Sequence, residues 1–129
     1  MNKPKIPISW GELLDKITIL EIKSENLVSK SALQNVENEQ QQLNTILLKY
    51  ALDKKNIGML FAELKKINKK LWDIEDSIRE KERKKSFDEA FIQLARSVYI
   101  INDQRSRVKR NINDALGSDL IEEKSYSEY

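Results

Sequence analysis

The chain has 129 residues, with 23 basic and 21 acidic side chains, and it contains neither histidine nor cysteine. This length fits one domain with its own core, and the missing residue types exclude a disulfide, a thiol nucleophile, a histidine general base and the usual structural zinc site. The net charge of +2 is too small to indicate a polyanionic partner by itself.

The first predicted helix follows an extended N-terminal segment. Pro4 and Pro7 disfavour a helix in that segment, because proline has no N–H group to donate. Ser9 followed by Glu12 has the spacing of a capping box, in which each residue satisfies a free amide at the start of a helix. The sequence therefore predicts a helix from about residue 10 to about residue 28.

A change in the phase of the apolar residues predicts a break after this helix. Two sets of residues repeat every seven positions in different phases: Leu13, Leu20 and Leu27, then Val36, Leu43 and Tyr50. The change of phase favours a break near residues 29–31, where Ser31 and Gln34 give a weak start signal. We expect a second helix over residues 32–52 and a polar connection over residues 53–58.

The rest of the chain predicts a long helical hairpin over residues 59–84 and 86–116. Apolar residues of its first helix are spaced four and three apart in alternation: Leu60, Leu64, Ile67, Leu71, Ile74 and Ile78. Ser86 with Glu89 predicts the start of the last helix, and Gly117 its end before a tail over residues 118–129. The predicted fold is all-α, a single-domain antiparallel bundle of about four helices with a coiled-coil-like C-terminal hairpin.

The predicted hairpin is long for a chain of this size. A helix of about 30 residues extends for about 45 Å, whereas a compact domain of this length is only about 35 Å across. A symmetric partner chain would cover the apolar residues of the hairpin, so we predict a homodimer. The alternative is that the first two helices and the tail cover them.

The sequence predicts a cytoplasmic protein without membrane association. No apolar run approaches the roughly 20 residues that cross a bilayer. The first nine residues lack the hydrophobic region of a signal peptide.

Charged residues inside an apolar segment form the first part of a candidate site. Residues 13–22 carry apolar side chains on all sides of the helix, yet the same stretch includes Asp15, Lys16, Glu21 and nearby Lys23. A shielded charge costs several kcal/mol unless it is paired. These side chains either pair with neighbouring helices and reach water along their stems, or they line a polar pocket.

Arg105 raises the same question in the last helix, because it continues the apolar spacing between Ile101 and Val108. Its guanidinium needs a carboxylate or an anionic ligand, and we favour an ion pair that sets the helix register. The candidate carboxylates are Asp15, Glu21, Glu63 and Glu75. The candidate polar pocket comprises Asp15, Lys16, Glu21, Arg96, Asn102, Arg105 and Lys109.

Two acidic pairs give an alternative metal site. Glu12 with Asp15, and Asp73 with Asp76, could hold a divalent cation through oxygen ligands, as carboxylate pairs do in all-helical, magnesium-dependent nucleotide pyrophosphohydrolases. Asp73 and Asp76 fall opposite the apolar face of their helix, however. We therefore predict no metal and no cofactor.

Several blocks of sequence, in order along the chain, carry a resemblance to a known family. They are Ile8–Leu13 and Asp15–Lys23, Leu71–Asp76, Leu94–Tyr99 with Asn102 and Asp103, and Gly117–Ser118 with Glu122–Tyr126. Together they resemble a small all-helical bacterial and phage domain family of unknown function, over nearly the whole chain. The resemblance implies no activity. It implies that a shared site lies in these blocks rather than in residues 29–58.

Three functions follow from these patterns. The composition favours a non-enzymatic helical module that binds another protein or assembles with itself. The alternative is a binder of, or an enzyme on, a small anionic metabolite such as a sugar phosphate or a nucleotide, held in a charged pocket within the bundle. Nucleic-acid binding through the basic residues 79–85 and 105–110 is disfavoured by the acidic tail and by the lack of interleaved aromatic residues.

Overall fold

The chain folds into four helices without strands in the part that is described. The computed structural model describes residues 2–50 and 54–129, apart from the side chains of residues 54–56. The helices are α1 (Trp10–Asn26), α2 (Lys30–Lys49), α3 (Lys54–Arg83) and α4 (Glu89–Leu116). The prediction of an all-α helical bundle is confirmed. Among the described residues, none of the helices combines the length and the apolar character that a membrane crossing requires.

The start of α1 and the end of α4 lie where their local signals predict. Ser9 Oγ accepts a hydrogen bond from the Glu12 backbone N–H at 3.1 Å. Gly117 ends α4 in the left-handed conformation, with φ 61° and ψ 44°, a conformation that glycine adopts without the strain of a Cβ atom. Both signals are local, so neighbouring helices do not override them.

Two helix starts differ from the prediction. Ser29, not Ser31, caps α2, and its Oγ accepts from the Ala32 N–H at 3.4 Å. Asp88, not Ser86, caps α4, because its carboxylate accepts both from the Phe91 N–H at 3.0 Å and from Lys81 Nζ of α3 at 2.9 Å. An ionised cap that also binds a cation is stronger than a neutral hydroxyl.

The predicted connection over residues 53–58 is wrong for residues 54–58, which are helical. α3 begins at Lys54, and Ile57 is buried in the core, so burial of this apolar side chain favours helix where the local sequence suggested a loop. The predicted end of the second helix at residue 52 lies outside the described residues.

The core lies where α1 packs against the N-terminal part of α3 and the C-terminal part of α4. α1 contacts each of the other helices, α3 packs along α4, and α2 packs against α1. The buried core residues come from all three of the elements that meet there: Leu13, Leu14 and Ile17, then Ile57, Leu64 and Ile67, then Val108 and Ile112. This arrangement places the charged residues of α1 directly against α4.

The far part of the hairpin has a different character. None of the residues 69–107, which we call the distal hairpin, is fully buried. Leu71, Ile74, Ile78, Leu94 and Val98, which the spacing predicts to face one another, are only half-buried. Coiled-coil geometry there stays a prediction, and these apolar side chains remain partly open to solvent.

Candidate functional site

The buried carboxylate of Asp15 pairs with Arg105. Asp15 is 1% exposed on α1, and Arg105 of α4 donates from Nε to Oδ1 at 2.9 Å and from Nη2 to Oδ2. Two parallel bonds between a guanidinium and a carboxylate give both strength and a fixed orientation. Of the four carboxylates considered for Arg105, Asp15 is thus the one that binds it.

Asn68 and Thr18 complete the network around Asp15. Asn68 Nδ2 of α3 donates to Asp15 Oδ1 at 2.9 Å and to Thr18 Oγ1 at 2.8 Å. The Thr18 hydroxyl donates in turn to the backbone carbonyl of Asp15 at 2.8 Å. Among the described residues, every buried side-chain nitrogen and oxygen has a partner. The network therefore joins α1, α3 and α4 without an unmet polar group.

Asp15 is ionised at neutral pH despite its burial. Burial raises the pKa of the carboxyl, but hydrogen bonds from Arg105 and Asn68, and the positive charges of Arg105 and Lys109, outweigh it. The net effect is a pKa below the ordinary value of 3.8. The hydrogen bonds to Asp15 raise the pKa of Arg105, although burial opposes the increase. Each partner thus stabilises the charged form of the other.

Lys109 forms a second buried ionic cluster one turn further along α4. Its side chain is 10% exposed, and Nζ donates to Glu12 Oε2 at 2.8 Å and to Glu122 Oε2 at 2.9 Å. Burial lowers the pKa of Lys109, but the hydrogen bonds to these two carboxylates more than compensate, and the net pKa is raised. Glu122 belongs to the tail, so Lys109 connects α1, α4 and the tail.

The first turn of α1 is capped by residues far away in the sequence. The Trp10 N–H donates to Ser118 Oγ at 3.3 Å, and the Gly11 N–H donates to Asn113 Oδ1 at 2.7 Å. A Cβ atom on Gly11 would lie 2.5 Å from the Lys109 carbonyl oxygen, so only glycine fits this contact between α1 and α4. Protein groups therefore occupy the amides that would otherwise attract an anion.

The tail runs back along α4 from the cap at Gly117. Glu123 binds Arg110 at 3.2 Å, and further on the Tyr129 hydroxyl donates to the Asp103 carboxylate. The ring of Tyr129 also packs edge-on against the ring of Tyr99, with 5.3 Å between the centroids. The tail thus contacts α4 over several turns.

The structure brings together only part of the predicted polar pocket. Asp15 and Arg105 bind each other, Asn102 Oδ1 lies 3.5 Å from Arg105 Nη1, and Lys109 lies one turn away. Lys16 and Arg96 do not join them, because both are exposed. Glu21 lies elsewhere on α1 and pairs with Lys65 at 3.2 Å.

The acidic pairs considered for a metal are separated or engaged. Glu12 binds Lys109 and Asp15 binds Arg105, while Asp73 pairs with Lys69 at 3.0 Å and Asp76 is exposed. Within residues 2–50 and 54–129, no group of three acidic side chains is close enough to hold a metal ion.

The spacing and charge patterns did not single out several residues of the two clusters. They are Thr18, Asn68, Asn113, Ser118 and Glu122. Three of them, Thr18, Ser118 and Glu122, lie in the sequence blocks that carry the family resemblance, where a shared site was expected. Asn68 had a signal of its own, because it lies four residues after Leu64 and three before Leu71, which places an amide on the apolar face of α3. The contact between Glu122 and Lys109 was not predictable, because the path of an irregular tail does not follow from periodicity.

Comparison with known proteins gives a family and no activity. Neither a curated protein nor a solved structure matches the chain. One family model, described as a family of unknown function (DUF6165), matches residues 4–129. This match extends over nearly the whole chain, including the buried clusters around Asp15 and Lys109. The chain therefore belongs to this family of unknown function, DUF6165.

Proposed function

We propose that the chain is a non-enzymatic helical module that assembles with a second copy of itself through the distal hairpin. The observation that carries the proposal is the distribution of burial. The fully buried side chains lie within residues 9–36, 57–68 and 108–113, which we call the base of the bundle, whereas residues 69–107 contain none. Half-exposed apolar side chains on two adjacent helices are typical of a surface that another helix covers.

A groove between α3 and α4 supports this choice of surface. It has a volume of about 710 Å³, and it is lined by charged residues of α3, which are Asp76, Glu80, Lys81 and Lys84, and by Ala90, Leu94 and small polar side chains such as Ser77 and Ser97. Small side chains let helix backbones approach closely, and a partner hairpin would bury the apolar surface around them.

The charges beside this groove favour a second copy over an unrelated partner. Asp73, Asp76 and Glu80 are followed along the same face of α3 by Arg83 and Lys84. Within one chain Asp73 pairs with Lys69, and Glu80 pairs with Arg83 and Lys84, but these pairs are exposed and worth little, so a partner's charges can replace them. A two-fold axis near Glu80 would place the acidic half of each hairpin against the basic half of its partner. Such a surface is complementary to itself, as a symmetric dimer requires.

Charge reversal tests this geometry. We expect a dimer at tens of micromolar chain in low salt, measured by size-exclusion chromatography with light scattering. The double variants D73K/D76K and R83E/K84E should each raise the dimer dissociation constant at least tenfold, because like charges then face each other. An equimolar mixture of the two variants should dimerise again, since each then offers the charge that the other needs.

The matched control is E37K/E39K, which reverses two exposed charges on α2 and should leave the dimer unchanged. A wild-type chain that stays monomeric at about 100 µM would overturn the proposal. Two reversed variants that fail to associate when mixed, while the wild type dimerises, would overturn the arrangement of the hairpins.

The alternative, a small anion held within the bundle, has less support. Asp15 accepts from two nitrogens of Arg105, so a carboxylate of the protein already occupies the position that an anionic ligand would take. For nucleic-acid binding, Lys109 and Arg110 likewise bind acidic residues of the tail. These contacts favour structural roles for Lys109 and Arg110.

A further inference from the structure

The tail and the middle of α4 form an open cleft that shares no lining residue with the groove proposed for the dimer. It lies between Val98–Arg107 of α4 and Lys124–Tyr129 of the tail, and its larger part has a volume of about 540 Å³. This volume is within the range of small-molecule sites. Arg105 lines the cleft, whereas its partner Asp15 does not.

Three tyrosines surround the cleft and leave their rings exposed. Tyr99, Tyr126 and Tyr129 are 46%, 74% and 77% exposed, respectively, and all three line the same cleft. Aromatic rings of this kind present faces on which a planar ring can stack. Together the three exposed rings form a larger apolar surface than a single exposed residue would.

Charged groups of both signs line the same cleft. Arg105, Arg107 and Lys124 contribute positive charge, and Asp103 and Glu128 contribute carboxylates. Nη1 of Arg105 makes only a long contact of 3.5 Å with Asn102, so it retains capacity to donate. A ligand that satisfies this set needs an anionic group, hydroxyls and a planar ring.

We propose that this cleft binds a nucleotide, with the base against the tyrosines and the phosphates beside Arg107 and Lys124. Stacking on aromatic side chains is a general way to hold a base. Asp103 Oδ2 already accepts from the Tyr129 hydroxyl, so the other oxygen, Oδ1, would accept from a ribose hydroxyl, as acidic residues do in dinucleotide sites. Arg107 and Lys124 supply the donors that phosphate oxygens require.

Calorimetric titration with ADP at low salt tests the site. We expect saturable binding of one ADP per chain, with adenosine and inorganic pyrophosphate each at least tenfold weaker, because each contains only one of the two recognised parts. Lys124→Gln and Arg107→Gln should each weaken ADP binding at least tenfold, and Tyr126→Leu at least fivefold. Circular dichroism would establish that each variant keeps its helices.

Arg96→Gln is the matched control. It removes the same charge from the same helix at an exposed position that does not line the cleft, where Arg96 contacts only Gln93 of its own helix among the described residues. It should leave ADP binding unchanged. Absence of ADP binding at millimolar concentration, pyrophosphate that binds as tightly as ADP, or equal losses in Arg96→Gln and Lys124→Gln would each overturn the proposal. The charge-reversed hairpin variants should bind ADP normally, so the two proposals fail separately.

Discussion

Asp15 is the residue on which the polar interior of the bundle depends. It accepts hydrogen bonds from α3 and α4 and lies on α1, so its charge holds three helices in register. Replacing it with asparagine would remove the negative charge and place an NH2 donor opposite Arg105 Nη2, where the second carboxylate oxygen now accepts. The cost of removing one partner from a buried pair exceeds the net gain from the pair itself.

We expect Asp15→Asn to lower the free energy of unfolding at neutral pH by about 3 kcal/mol, the lower end for a broken buried pair, since Arg105 is partly exposed. Urea unfolding followed by circular dichroism measures this loss. Glu21→Gln is the control, because Glu21 pairs with Lys65 at the surface and should cost less than about 1 kcal/mol. Equal losses in the two variants would contradict a special role for Asp15.

The same variant predicts a change in the pH dependence of stability. The folded pKa of Asp15 lies below its unfolded value near 3.8, so its contribution is present above that value and is lost as the pH falls through the folded pKa. The difference between the wild type and Asp15→Asn should therefore shrink as the pH falls below about 4. A difference that stays constant over this range would contradict ionised Asp15 as its origin.

Single residues also mark the limit of prediction from sequence. The spacing of the last helix places Arg105 inward and requires an anion for it, and the structure supplies that anion from α1. Which of four carboxylates binds it depends on how α1 crosses the hairpin, which no spacing within one helix determines. The hydrogen bond from Asn68 to Asp15 depends on the same crossing, so the spacing within α3 does not predict it either.

At the scale of elements, the contact between α1 and α4 depends on Gly11. We expect Gly11→Ala to lower the free energy of unfolding by about 2 kcal/mol, because its Cβ would lie 2.5 Å from the backbone oxygen of Lys109 and 2.9 Å from Asn113 Oδ1. Crowding of this kind costs about 1–3 kcal/mol or more, partly offset by the roughly 1 kcal/mol by which alanine favours a helix. Thermal and urea unfolding measure the change.

Gly58→Ala is the control for this prediction. Gly58 is an exposed position of α3, and a Cβ there would meet no atom within 4 Å. This variant should raise the stability by up to about 1 kcal/mol through helix propensity alone. A Gly11→Ala variant as stable as Gly58→Ala would show that α1 and α4 can separate without cost.

The helix boundaries show which element signals are reliable. Ser9 and Gly117 act through bonds within a few residues, and both were predictable. Asp88 is preferred over Ser86 at the start of α4 because Lys81 reaches it from the preceding helix, which is a tertiary contact. Likewise α3 extends back to Lys54 because Ile57 is buried in the core. The wrongly predicted helix boundaries are thus those that a contact with another helix determines.

At the scale of the whole molecule, stability should be unevenly distributed between the base of the bundle and the distal hairpin. The base contains the buried core together with Asp15 and Lys109, whereas residues 69–107, although they include Arg105, have only half-buried or exposed side chains. Regions with few buried contacts open at lower free energy than the core. We therefore expect the distal hairpin to gain stability when a second copy of the chain covers its apolar side chains.

Hydrogen exchange at two protein concentrations tests both statements. At low concentration, amides of residues 13–22, 64–68 and 108–113 should exchange slowest, and those of the distal hairpin faster, because buried side chains surround only the former. At high concentration, exchange in the distal hairpin should slow, since association stabilises the state that binds, while α2 should exchange at an unchanged rate. Uniform exchange along α3 and α4 would contradict the uneven stability. A distal hairpin unaffected by concentration would show that a second copy does not cover it, and the half-exposed apolar side chains would then need a different partner.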